Sequence, residues 1–118
     1  MKQFLTIYIS IFFVFAAFAQ DATKYQKDRA SLFSSYIAEK ESLSEDQELF
    51  VYNVMLERVV NANSRIKSSP EIAREDKQKI YKDEFSKAQQ KLAAEFGPQM
   101  ARRFMQLSNE ARKKADKN

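Results

Sequence analysis

Residues 43–67 read LSEDQELFVYNVMLERVVNANSRIK, and this stretch decides the fold. It opens on Ser44, with Glu45 and Asp46 next and Gln47 at the third position. That order is a capping box: the serine hydroxyl accepts from a free backbone N–H while the glutamine side chain reaches back to the serine N–H. Acidic groups in the first turn also suit the positive end of a helix dipole. Neither proline nor glycine interrupts the residues that follow. Projected as a helix, Val51, Met55, Val59, Ala62 and Ile66 share one side, with Asn53, Glu57, Asn61 and Arg65 roughly opposite. Phe50, Tyr52, Val54, Leu56 and Val60 widen the apolar arc beyond a narrow seam. An arc that broad implies contact with more than one neighbouring helix, or an apolar surface awaiting a partner.

Working outward, the rest of the chain repeats the pattern. Tyr25, Leu32, Phe33, Tyr36 and Ile37 recur at three- and four-residue steps and predict a helix over 22–40. After residue 67, Ser68-Ser69-Pro70-Glu71 reads as a stop and a restart, with Ser69 as cap and Pro70 at the first helical position. The helix so begun is expected over 70–96, burying Tyr81, Phe85, Ala88, Leu92 and Phe96. Its first half is almost wholly charged, as for a segment that protrudes into solvent or docks on a second subunit. Gly97 then Pro98 marks the next boundary, a left-handed C-cap followed by a helix start. The last helix, 98–115, is expected to bury Met100, Ala101, Phe104, Leu107 and Ala111 and to show Arg102, Arg103, Lys113 and Lys114 outside. The expected fold is all-α: about four amphipathic helices in an elongated hairpin or bundle, one domain over 20–118.

The first nineteen residues stand apart. Lys2 gives one positive charge, an apolar run follows from Phe4 to Phe18, and Ala17-Phe18-Ala19 is a small-x-small pattern before Gln20-Asp21. This is the layout of a cleavable secretory signal, cut after Ala19. The run is shorter than the roughly 20 apolar residues that span a bilayer comfortably, so a retained anchor is the secondary reading and a buried core helix a third. Cleavage predicts a periplasmic or secreted protein with no stable membrane insertion. It removes Lys2 alone among the charges, lowering the formal charge from +4 to +3. Basic and acidic residues interleave through the remainder, which is not the dense stripe of a nucleic-acid binder.

Cysteine and histidine are both absent. The chain therefore has no disulfide, no thiol nucleophile, no imidazole proton shuttle and no soft metal ligand. One glycine allows no phosphate-cradling loop. Carboxylates such as Glu71, Glu75 and Asp76, or Asp83 and Glu84, sit among lysines and arginines and read as solvated helix faces. An enzyme, a cofactor and a metal site are not expected. Surface remains as the carrier of function: the arc on the second helix, the adaptable methionines Met55, Met100 and Met105, and the basic face of the last helix.

Leu43-Ser44-Glu45-Asp46-Gln47, opening an amphipathic helix, resembles the LTxxQ motif of the Spy/CpxP family of periplasmic proteins, with Ser44 where the family has threonine. A second candidate, Phe96-Gly97-Pro98-Gln99-Met100, matches by its place before the final helix, without the threonine and with its glutamine one place early. The resemblance implies a small exported helical protein that pairs as a cradle-shaped homodimer and acts as an ATP-independent chaperone or envelope-stress modulator. Metal sensing in that group uses histidine and is not implied here. On this reading Phe50, Val54, Met55 and Val60 form the client-binding face, and Arg102 and Arg103 steer acidic clients. Its partners are unfolded or envelope proteins. The alternative is a structural or interaction subunit of an envelope complex, or a helical homo-oligomer, without general client binding.

Overall fold

The structure, a computed structural model, describes residues 22–69 and 71–117. The signal reading of residues 1–19 and the placement of Pro70 as a helix start lie outside those residues. The described chain is all-α. Its helices are α1 (Lys24–Glu41), α2 (Glu45–Lys67), α3 (Arg74–Phe96) and α4 (Pro98–Lys117). Each packs on the helix before and after it in the chain, and α1 closes the ring on α4. Short links force consecutive helices back along one another, the arrangement of an up-and-down bundle. The molecule measures 47 × 31 × 26 Å.

The helix ends follow from local chemistry. At α2, Gln47 N–H donates to Ser44 Oγ at 3.2 Å and Ser44 N–H donates to Gln47 Oε1 at 2.9 Å. A second capping box opens α1, where Gln26 N–H donates to Thr23 Oγ1 at 3.1 Å and Thr23 N–H to Gln26 Oε1 at 2.9 Å. Ser42 ends α1 in the left-handed region at φ 52°, so that its own N–H and that of Leu43 both donate back to the Ala38 carbonyl. At the next link, α3 starts at Arg74 rather than near residue 70. Ser69, which was expected to cap it, finishes α2 with Ser68 instead: Ser68 Oγ donates to the Arg65 carbonyl at 2.9 Å, and Ser69 N–H to the Ile66 carbonyl at 3.1 Å. Ala73 is the N-cap and offers no side-chain acceptor.

Between α3 and α4 there is one residue. Gly97 donates its N–H to the Ala93 carbonyl at 2.9 Å, while its own carbonyl accepts from Ala101 at 3.0 Å, so it closes one helix and opens the next. Its φ of 94° and ψ of 157° place it outside the left-handed helical basin that was expected, in an extended positive-φ region open essentially to glycine alone. A Cβ here would meet nothing within 4 Å, so backbone strain and not a clash makes the glycine necessary.

The core differs from the sequence expectation in instructive ways. The stretch of α2 from Phe50 to Leu56 is buried on nearly every side: Phe50, Val51, Asn53, Val54, Met55 and Leu56 are all sealed. Phe50 and Phe104 each meet Phe96 edge to face, with centroids 5.7 and 5.0 Å away. In α3 the inward stripe is Ile80, Glu84, Ala88 and Leu92, one residue behind Tyr81 and Phe85. Tyr81 is 52% exposed and Tyr25 of α1 is 67% exposed, against the expectation that both were core. Met100 is exposed as well, whereas Ala101, Phe104, Leu107 and Ala111 are buried as expected. The charged start of α3, from Arg74 to Lys79, is exposed.

Gly97→Ala should cost about 1–3 kcal/mol, the range for a side chain forced into that backbone region. Urea unfolding followed by helical circular dichroism measures it, and a cost near zero would mean the turn relaxes to another geometry.

Candidate functional site

Beyond the sealed stretch of α2 lies a cleft of about 750 Å³ lined by all four helices. Tyr25, Arg29 and Phe33 face it from α1, Arg58, Val59, Ala62 and Asn63 from α2, Tyr81, Lys82, Glu84 and Phe85 from α3, and Asn109 and Arg112 from α4. Helical spacing explains the set. Tyr25, Arg29 and Phe33 are successive four-residue steps, as are Tyr81 and Phe85, so α1 and α3 each lend one ridge to the cleft.

Arg58 is the centre of the site. It stands seven residues after Val51 and three after Met55, in the middle of the apolar stripe of α2. Its guanidinium carbon lies 5.6 Å from the Phe33 ring centroid and 5.1 Å from that of Phe85, within cation–π range of both. Nη1 donates to Ser108 Oγ at 3.4 Å and contacts Met55 Sδ at 3.9 Å. An arginine carries five N–H donors, and among the described residues Nε and Nη2 have no acceptor. Burial, reinforced by the positive charges of Arg112 and Arg29, pushes Arg58 down to about 10. It is still cationic at neutral pH. Arg29 lies 5.4 Å from the same Phe33 ring, so that one aromatic carries two guanidinium groups.

The cleft is therefore electropositive. Glu84 is its single carboxylate, and that charge is already used. Glu84 is 2% exposed and accepts from Arg65 Nη1 at 2.8 Å and from Lys87 Nζ at 3.4 Å. Arg65 also binds Asp83 at 2.6 Å. Those two carboxylates, Glu84 before Asp83, hold Arg65 above its usual value, and Arg65 holds Asp83 below the carboxylate range. A smaller cleft of about 270 Å³ between α2 and α3 is crossed by a Lys91–Glu57 ion pair. Elsewhere, both carboxylate oxygens of Glu95 are shielded from solvent without a hydrogen-bond partner among the described residues, and burial raises its pKa. A raised carboxylate adds stability at low pH that is lost as pH climbs through its folded value.

The residues expected to bind clients are not together. Phe50, Val54 and Met55 are core at 2, 1 and 0% exposure, because α1 and α3 cover the two flanks of the arc that was expected to await a partner. Val60 is half-buried. Arg102 is exposed, and Arg103 Nε pairs with Glu41 Oε1 at 3.5 Å, tying α4 to the end of α1. Leu43, Ser44, Gln47, Gly97 and Pro98 all act at helix ends, away from the cleft. What sequence reading missed was Arg58. The signal was there, a lone arginine in register with Val51, Met55 and Ala62, but the eye follows the apolar residues on either side.

Among the described residues no group of three or more acidic, histidine or cysteine side chains is placed to hold a metal, and no helix is long and apolar enough to cross a membrane. The fold and site define a class, a four-helix bundle with a basic, aromatic-walled cleft. Compared with known proteins, the chain matches no family model, no curated protein and no solved structure.

Removing Arg65 would leave Glu84 buried with only Lys87 beside it. Arg65→Ala should destabilise the bundle more than the double variant Arg65→Ala/Glu84→Gln, because the second change removes the stranded charge. Paired urea titrations decide it, and simple additivity of the two single changes would refute the coupling.

Proposed function

We propose that this chain is an exported helical protein that binds other proteins and catalyses nothing. The observation that carries the reading is the cleft: two exposed tyrosines, Tyr25 and Tyr81, stand over an aromatic floor of Phe33 and Phe85 in a space large enough for several side chains. Aromatic residues with a polar tip are favoured where a protein surface meets a partner. The signal-like first nineteen residues supply the export, and the capping box at Leu43-Ser44-x-x-Gln47 supplies the likeness to Spy/CpxP chaperones. Within that likeness the binding surface moves from the Phe50 face to the cleft, since the former is occupied by the bundle itself.

A dedicated interaction subunit is the second reading. The concentration of Arg29, Arg58 and Arg112 in one place favours it, since clustered charge selects a defined partner more than it suits varied unfolded clients. A homodimer remains the expected assembly in the first reading, and sedimentation measures it.

The first reading expects residues 20–118 to suppress aggregation of a chemically unfolded substrate at stoichiometric ratios. Tyr25→Ala/Tyr81→Ala should lose most of that effect without a change in melting temperature, as both side chains are exposed. Absence of suppression by the unaltered chain, together with a single saturable partner in crosslinking, would favour the dedicated subunit instead.

A further inference from the structure

Arg58 occupies a position where packing alone would select leucine or methionine. Its neighbours one turn before and one turn after, Val54, Met55 and Ala62, are buried apolar residues. Two aromatic rings and one serine hydroxyl fix the guanidinium in place. Among the described residues no carboxylate lies within ion-pair distance of Arg58, Arg29 or Arg112, although the described residues make seven such pairs elsewhere. A buried guanidinium with two like charges beside it opposes folding, and an incoming anion reverses that.

We infer that the cleft takes an acidic segment of another protein, with a side-chain carboxylate held among Arg29, Arg58 and Arg112 and flanking apolar side chains against Phe33 and Phe85. The inference rests on the protein-binding reading and adds the chemistry of the partner. Charge complementarity selects the anion. A planar guanidinium fork matches a carboxylate in two parallel hydrogen bonds, and Arg58 has Nε and Nη2 to offer. Its pre-set position means that little side-chain freedom is lost on binding. The size and lining of the cleft select a peptide over a free ion. A lone carboxylate or phosphate would fill a small part of about 750 Å³ and leave the aromatic walls wet. Asn63 and Asn109 add amide groups able to pair with a peptide backbone. Glu84 does not compete, because Arg65 and Lys87 already hold it.

Fluorescence anisotropy of the full mature chain tests this with two labelled peptides, one carrying two glutamates between phenylalanines and a twin carrying glutamines. The acidic peptide should bind at least about tenfold more tightly, and the preference should shrink as salt rises. Arg112→Gln and Arg29→Gln, on the rim, should each weaken the acidic peptide several-fold and leave the glutamine twin unchanged. Circular dichroism melts of the two variants confirm that they fold. Equal affinity for both peptides would overturn the acidic preference and leave protein binding intact. Binding of neither peptide, with aggregation still suppressed, would overturn it in the same way; with no suppression, the chaperone reading falls with it. Displacement of the acidic peptide by inorganic phosphate or by vesicles of anionic lipid at matched charge concentration would also overturn it, since the anion would then be the whole ligand.

Discussion

The bundle depends on enclosing about two turns of one helix. From Phe50 to Leu56, α2 carries apolar side chains on almost every side, and no single neighbour can cover them. A ring is the solution: α1 takes one flank, α3 the other, and α4 lies across the remaining edge of α1 and α3. Phe96, at the end of α3, meets both Phe50 and Phe104 edge to face, so the single-residue turn at Gly97 sits where three helices converge. With no disulfide available, burial of these side chains is the main stabilising force, each large one contributing about 1.5–3 kcal/mol.

The same helix then changes character. Past Leu56 the stripe continues in register but carries Arg58, and the cleft opens there. Sealed core and open cleft are thus two halves of one amphipathic pattern, separated by a single charged residue. The ion pairs are placed to suit. Arg65–Glu84 and Lys91–Glu57 join α2 to α3, and Arg103–Glu41 joins α4 to α1, which leaves the cleft arginines without a carboxylate among the described residues.

Helix content, the number of helices and the starts of α2 and α4 were legible because they rest on short-range chemistry, whereas α1 starts at Lys24 behind a Thr23–Gln26 capping box and not at 22. Ser44 with Gln47, Gly97 with Pro98 and the apolar step in α4 need only a few neighbouring residues to be read. The late start of α3 was not legible, since it turns on Ser68 and Ser69 completing the helix before them. The inward face of α3 was legible only in part: Ala88 and Leu92 are buried as expected, but Tyr81 is exposed and Phe85 half-buried, while Glu84 faces inward because Arg65 reaches it from α2. The cleft was illegible for the same reason: its arginines come from three helices, and only the tertiary ring brings them together.

The most direct measurement is thermal unfolding of Arg58→Met beside the unaltered chain. If the buried guanidinium is kept for binding, an apolar side chain of similar length in the α2 stripe should melt at or above the original temperature. A fall of several degrees would instead make Arg58 a structural pin between Phe33 and Phe85, and would contradict the reading of the cleft as a binding site.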